Sequence, residues 1–361
     1  MIYFDQAATT KLHPKVSEYI KSHLDDDWMN PSSMYAADKK NDIEACKQKI
    51  LGMIGADLDD YLIFTSGGSE SNALMIQTAR QIYTTEIEHD SILNGVMFNR
   101  LPVDSYGFMD IDKLTTVFKN GIQQPSNVVS VQYGNNEIGT IQDISTIRNV
   151  CPDCLLHVDA VQAVGHVPFS VKKLGIDMLS ASAHKFGGPK GVGFLYVSKK
   201  AKKYIRPIIY GTQEYSLRGS TYNYIGIMAM TYALELAFDK MMDNLLQTCR
   251  VRMAIYDSMQ KISCAHINGP IDFKRRLPGN LNYRFDGYRG EELQAYLAQN
   301  DIYVSTGSAC NTGKTSHVLT AIGLTEEEAD SSLRITYNET NTVSEALQLF
   351  KILRNGLEIL R

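Results

Sequence analysis

With 361 residues, 44% of them hydrophobic and 21% charged, the chain is long enough to bury one large apolar core and a smaller one, so two domains are expected. A net charge of -4 provides no basic face for counterion release, which excludes nucleic-acid binding as the main activity, and no apolar run reaches membrane-spanning length. Six cysteines without a repeated spacing read as reduced thiols, and the opening MIYFDQAATT has no basic region followed by an apolar run, so a cytoplasmic protein is expected.

Residues 2–4 form a short apolar segment, and the small residues Ala7, Ala8, Thr9 and Thr10 behind it suit close packing near a ligand. Pro14 opens a helix over about 15–24. Asn30-Pro31-Ser32-Ser33 is a turn with capping chemistry ahead of a helix over about 35–54. Residues 61–64 are a buried strand, joined by TSGGSESN (65–72) to a helix over about 71–80. A glycine pair lets backbone approach an anion, and amides with hydroxyls at a helix start make a phosphate cradle; a simple capped helix accounts for the same residues. The loop has neither the Gly-Lys-Ser/Thr ending of a nucleotide loop nor the Gly-x-Gly-x-x-Gly spacing of a dinucleotide fold, so a nucleotide is disfavoured.

The next strand covers 82–84, with Glu88-His89-Asp90-Ser91 at its far side and a helix starting near Ser91. His89 is either a polar loop histidine or a ring lying on a flat cofactor. A strand over 128–132 ends in Tyr133-Gly134-Asn135-Asn136-Glu137-Ile138-Gly139, where successive amides can reach a ligand. After a helix over 144–150, Cys151-Pro152-Asp153-Cys154 is a CxxC with no second pair or well-spaced histidine, so no metal is expected. The strand over 155–158 runs directly into Asp159-Ala160-Val161-Gln162, whose carboxylate is either a helix cap or the partner of a buried positive charge.

Two short apolar strands, 178–181 and 192–197, flank a glycine-rich turn holding His184 and Lys185. That lysine is either a solvated turn residue or a Schiff-base lysine whose amine is activated by partial burial and its neighbours. A loop from Tyr210 through Arg218-Gly219-Ser220-Thr221-Tyr222-Asn223 precedes a long helix over about 224–241, and the strand and helix alternation so far predicts a mostly parallel sheet with helices on both faces. From about Asn244 the pattern changes to helices over 245–261, 290–299 and 343–360 with short strands near 280–284 and 303–305. Residues 15–245 are therefore expected to form the large domain, and 1–14 with 246–361 the small one. Ser305 to Gly313 places a single thiol, Cys310, among small polar residues, which favours a nucleophilic role over packing.

Taken in order, Tyr3-Phe4-Asp5-Gln6-Ala7-Ala8-Thr9-Thr10, TSGGSESN, EHDSIL, NNEIG, HVDAVQA, SAHKFGGPKG, STGSAC and Ser332-Leu333-Arg334 span nearly the whole chain. This series closely resembles the cysteine desulfurases of the NifS/IscS type, class V aminotransferases within the fold type I pyridoxal-phosphate enzymes. The resemblance implies an α/β fold: a large domain with a mostly parallel seven-stranded sheet flanked by helices, plus a smaller α+β domain carrying the Cys310 loop. It implies pyridoxal 5'-phosphate bound covalently by Lys185, with Asp159 on the pyridine nitrogen and His89 stacked on the ring. Gly68, Ser69, Ser182 and His184 would hold the phosphate, with Thr221 reaching across from the other subunit of a homodimer. Asn136 and Gln162 would contact the ring and its oxygen, and Arg334 with Asn136 would take the substrate carboxylate.

The implied reaction removes sulfur from L-cysteine, with Lys185 as the base at carbon, Cys310 as the nucleophile at sulfur and His89 moving a proton near that sulfur. It leaves L-alanine and a Cys310 persulfide, which passes to an acceptor protein of iron-sulfur cluster assembly or of tRNA or cofactor thiolation. A selenocysteine lyase or another fold type I enzyme is the second reading, since a pocket fitting one chalcogen fits the other. Cys310 argues against a plain aminotransferase, and Lys185, Asp159 and His89 argue against a cofactor-free scaffold. The chain departs from the family pattern at Tyr35, Gly187, Thr212 and Ser220, none of which is a reacting group, and its Cys310 loop is slightly short for the long-loop members.

Overall fold

The computed structural model describes residues 1–25, 27–95, 99–119, 126–307 and 315–360. In chain order the strands are β1 (Ile2–Tyr3), β2 (Tyr61–Thr65), β3 (Gln81–Thr85), β4 (Asn99–Leu101), β5 (Asn127–Gln132) and β6 (Leu155–Asp159). There follow β7 (Met178–Ser182), β8 (Gly193–Val197), β9 (Ala265–Ile267), β10 (Asn280–Phe285), β11 (Ile302–Tyr303) and β12 (Ser332–Thr336). A seven-stranded sheet has the order β2-β8-β7-β6-β5-β3-β4. The strands from β4 to β7 pair in parallel, and β8 runs antiparallel to both of its neighbours, β7 and β2. This is the mostly parallel α/β sheet expected. Because β8 reverses between them, β2 and β7 point the same way, and β2, β3, β5, β6 and β7 all end on one edge.

Side-chain alternation explains why both faces of the sheet are covered. Leu62, Phe64, Val129, Val131, Leu156, Val158, Leu179 and Ala181 join one buried cluster with the helices Ala37–Met53 and Tyr224–Asp239. The intervening Ile63, Val128, Leu155 and Met178 join another, with Leu74 and Met75 of the helix Gly68–Thr78. Apolar residues at both parities mark a sheet buried on two sides. A separate cluster gathers Phe4, Leu281, Tyr283, Phe285, Leu333 and Ile335 against the helices Met241–Met259, Gly290–Gln299 and Val343–Ile359. It packs on the antiparallel sheet β12-β10-β9, and β1 pairs in parallel with β11 beside it.

The helix anticipated from about residue 71 begins earlier, at Gly68, because Gly67 adopts φ +153° and the turn is completed by Ser71 N–H donating to Gly67 O. The pattern does not announce β4 or β9, three residues each, since neither alternates buried and exposed positions. Among the described residues, no helix is long and apolar enough to cross a membrane, and Cys46, Cys151, Cys154, Cys249 and Cys264 are free thiols.

Candidate active site

The shared edge of β2, β3, β5, β6 and β7 opens on a cavity of about 490 Å³, which Ala7 and Ala8 close from one side and Arg334 from another. Crevices at the carboxyl ends of parallel strands are where open α/β sheets bind ligands. Of the side chains singled out from the sequence, Gly68, Ser69, His89, Asn136, Asp159, Gln162, Ser182, His184, Lys185 and Arg334 all meet this one cavity. Thr221 does not; it borders a neighbouring hollow that shares Ser66 and Gly191 with the first. Cys310 lies outside the described residues, although His317 and Val318 on its C-terminal side border the cavity.

Lys185 ends a single 3-10 turn that leaves β7. Its Nζ donates to Ala7 O at 2.5 Å and to Ala8 O at 2.8 Å, and Gln162 Nε2 donates to the same Ala7 carbonyl at 3.0 Å. The amine is thus held at the cavity wall by the small-residue segment and is not a solvated turn lysine. Asp159 ends β6, where its carboxylate accepts from Asn72 Nδ2 at 2.8 Å and from Val161 N–H at 3.1 Å. Two residues earlier, on the same face, His157 is fully buried between the hydroxyls of Ser130 and Ser180, and burial pushes its imidazole down to about 3, so it stays neutral.

His89 caps the short helix Asp90–Leu93, its Nδ1 accepting from Ser91 N–H at 3.1 Å with Ser91 Oγ 2.8 Å away. An imidazole that accepts at Nδ1 carries its hydrogen on Nε2. The start of the 11-residue helix Gly68–Thr78, also at the cavity, offers amides without intrahelical partners, an arrangement that draws anions. Glycine is required at 193 in the neighbouring β8, where a Cβ would collide with Ala181 O and Gly67 Cα, while a Cβ on Gly68 would press on Val161 Cγ2 at 2.6 Å. His184 hydrogen-bonds Thr9 Oγ1 at 3.1 Å, and burial with the charges of Lys185 and Lys190 holds its imidazole down to about 4. Neutral donors, a helix start and Lys190 around one end of the cavity fit a phosphate group, and the Asp159 carboxylate fits a protonated ring nitrogen.

Arg334, buried in β12, donates from Nη2 to Asp5 Oδ1 at 2.7 Å, while its Nε has no hydrogen-bond partner among the described residues. Donors remain available there for a planar carboxylate. Its backbone pairs with Ser305 in both directions, Arg334 N–H to Ser305 O at 2.6 Å and Ser305 N–H to Arg334 O at 3.1 Å. The stretch leading to Cys310 therefore starts from the strand that carries the arginine.

Sequence reading gave no role to Asn72, Glu88, Gln132 or Glu137, all buried and all at the cavity. No local pattern marks them: Gln132 ends β5, Glu88 and Glu137 lie in the loops after β3 and β5, and Asn72 is inside the helix Gly68–Thr78. Glu137 is fully buried, and burial raises its carboxyl pKa. Glu88 accepts from Thr85 Oγ1 at 2.6 Å, and burial pushes its carboxyl up to about 8. Its folded pKa exceeds the ordinary 4.5, so the folded chain binds more protons than the unfolded chain between these values. Stability therefore falls as pH rises through that window, by on the order of 1.4 kcal/mol per pH unit, and levels off above it. Glu88→Gln is expected to abolish this slope and to be the more stable protein by a few kcal/mol on the alkaline side of the window. Urea unfolding across the pH range checks this, and parallel profiles for the two proteins would contradict it.

Cys151 and Cys154 are buried beyond the helix Ile144–Val150, where the Cys151 thiol donates to Ile147 O at 3.1 Å. Among the described residues, no three His, Cys, Asp or Glu side chains are grouped to hold a metal.

The chain matches the family described as aminotransferase class-V over residues 2–349. A cysteine desulfurase IscS of Dictyoglomus turgidum is 38% identical over 384 residues, covering 100% of this chain and 95% of that protein. A NifS-like protein from Rickettsia africae, solved by X-ray, has a TM-score of 0.92 and 30% identity over 99% of each chain. SspA, solved in complex with cysteine, has a TM-score of 0.77 and 30% identity over 93% of this chain and 98% of its own.

Proposed function

Because this chain belongs to the class-V aminotransferases and, within them, to the pyridoxal-phosphate-dependent cysteine desulfurases, we propose that the cavity is where it takes the sulfur of L-cysteine and leaves L-alanine. The observation that carries the assignment of residues is the convergence of Lys185, Asp159, His89 and Arg334 on one cavity beside a phosphate-sized cradle. When bound, pyridoxal 5'-phosphate supplies an electron sink for negative charge developing at the substrate Cα.

Lys185 supplies the amine that holds the cofactor, and the same nitrogen takes and returns a proton at the substrate Cα. Asp159, fixed by two donors, presents its charge to the ring nitrogen. Gly68, Ser69, Ser182 and His184 receive the phosphate, and Asn136 and Gln162 the ring and its oxygen. Arg334, with Asn136, orients the substrate carboxylate, which sets the direction of the sulfur. His89 stacks on the ring and holds a proton at Nε2 for exchange near that sulfur. Cys310 Sγ forms the new sulfur–sulfur bond as the substrate carbon–sulfur bond breaks, so that the electron pair stays with the carbon skeleton that becomes alanine.

The persulfide sulfur then passes to an acceptor protein, in iron-sulfur cluster assembly or in tRNA or cofactor thiolation. Thr221, which lies outside the lining of this chain's own cavity, completes the phosphate site of a second copy in a homodimer. Two separate apolar clusters support a large domain over 15–245 and a small one over 1–14 and 246–361. Free thiols throughout the described residues support a cytoplasmic setting.

The test is to load the purified chain with pyridoxal 5'-phosphate, add L-cysteine with a thiol reductant, and quantify products. Alanine and sulfide in equal amounts are expected. A keto acid in place of alanine, or no product, would overturn the proposal.

A further inference from the structure

One buried amide connects two of the residues just assigned. Asn72, 1% exposed on the helix Gly68–Thr78, donates from Nδ2 to Asp159 Oδ2 at 2.8 Å and to Ser91 Oγ at 2.9 Å. Ser91 Oγ in turn lies 2.8 Å from His89 Nδ1. The orientation of the amide follows from its partners: turned over, its oxygen would face the Asp159 carboxylate, and two acceptors repel. Both hydrogens of the amide nitrogen are then committed. Ser91 Oγ receives one of them and is left with its own hydrogen to give to His89 Nδ1, which already accepts from Ser91 N–H. Asn72 Oδ1, by contrast, is buried with no hydrogen-bond partner among the described residues. A side chain kept only for packing would not bear an unpaired buried acceptor.

Resting on the reading above, we infer that Asn72 is a positioning residue for this site: through one amide group it fixes the Asp159 carboxylate and, by way of Ser91, the ring of His89. The two groups meant to meet the cofactor from β6 and from the β3 loop are thereby set relative to each other before any ligand enters. Neither contact requires Asn72 to touch substrate. Loss of the amide should loosen both ends together, which separates this role from ordinary packing.

Two readouts test the inference. In cofactor-free protein labelled with 15N-histidine, the His89 ring signals, identified by their loss in His89→Gln, should show hydrogen on Nε2. They should shift and broaden in both Asn72→Leu and Ser91→Ala. In cofactor titrations, Asn72→Leu should weaken pyridoxal-phosphate binding at least about tenfold, the size expected when a partner supporting a ligand-binding group is removed. Ser91→Ala, which leaves the Asp159 contact in place, should weaken it less. An unmoved His89 signal in Asn72→Leu, or an affinity within twofold of the parent, overturns the inference. Should Asn72→Leu fail to fold, Asn72→Ala, which removes the amide without adding bulk, is read by the same two measurements, and an unmoved His89 signal or an unchanged affinity in it overturns the inference. If the parent chain itself binds no pyridoxal phosphate, the cofactor reading fails, while the histidine signals of the free protein still report on Asn72.

Discussion

Lys185→Ala is expected to abolish alanine formation from L-cysteine, with a loss of at least about 10⁴-fold, the upper end of what a positioned acid or base contributes, because the same nitrogen also holds the cofactor. The parent loaded with cofactor should be yellow and, after borohydride reduction, carry it covalently on Lys185. The variant should lose the cofactor on gel filtration. Folding should survive, since among the described contacts the substitution removes the hydrogen bonds to Ala7 O and Ala8 O, each worth about 1 kcal/mol net. Lys185→Arg should not rescue turnover, because a guanidinium stays charged and cannot serve as amine or base. A variant turning over within tenfold of the parent would remove Lys185 from the reaction.

Cys310→Ala is expected to fail later. It should bind pyridoxal phosphate as the parent does and still change its absorbance when L-cysteine is added, since Lys185, Asp159, His89 and Arg334 are untouched. Sulfide and alanine release should fall by about 10²- to 10⁴-fold, because the acceptor for the sulfur is gone. Alanine at Cys46, Cys151, Cys154, Cys249 or Cys264 should leave turnover largely intact. The first three are buried away from the cavity, so their loss should appear in thermal stability, not in rate. Desulfuration by Cys310→Ala at the parent rate would point to a lyase that expels sulfur directly.

That several of these residues meet at one sheet edge could be read from residue order, while their roles came from the resemblance. Asp159 ends β6, and Lys185 and His89 follow the ends of β7 and β3 by three and four residues; parallel strands deliver such positions to one edge whatever their separation in sequence. Arg334 was recognisable only by resemblance, because nothing local in Ser332-Leu333-Arg334 says that β12 will turn it toward the crevice. Asn72, Glu88 and Glu137 were within view, inside quoted motifs, yet had no assigned task. A buried polar side chain takes its meaning from the partner it meets through space, and Asn72 depends on the packing of its helix against β6 and the β3 loop. Short elements failed for a different reason: β4 and β9 pair through backbone groups that every residue possesses, so their side chains leave little trace.

The Ser305–Arg334 backbone pairing has a counterpart beyond Cys310. There, Ser316 caps the helix His317–Ala321 by accepting from Leu319 N–H at 3.2 Å, and His317 Nε2 lies 3.1 Å from Glu88 O. Both anchors are set by groups outside residues 308–314. The cavity wall that carries Arg334 and His317 thus owes its position to contacts it brings with it, from Ser305 on one side and from the Glu88 carbonyl on the other.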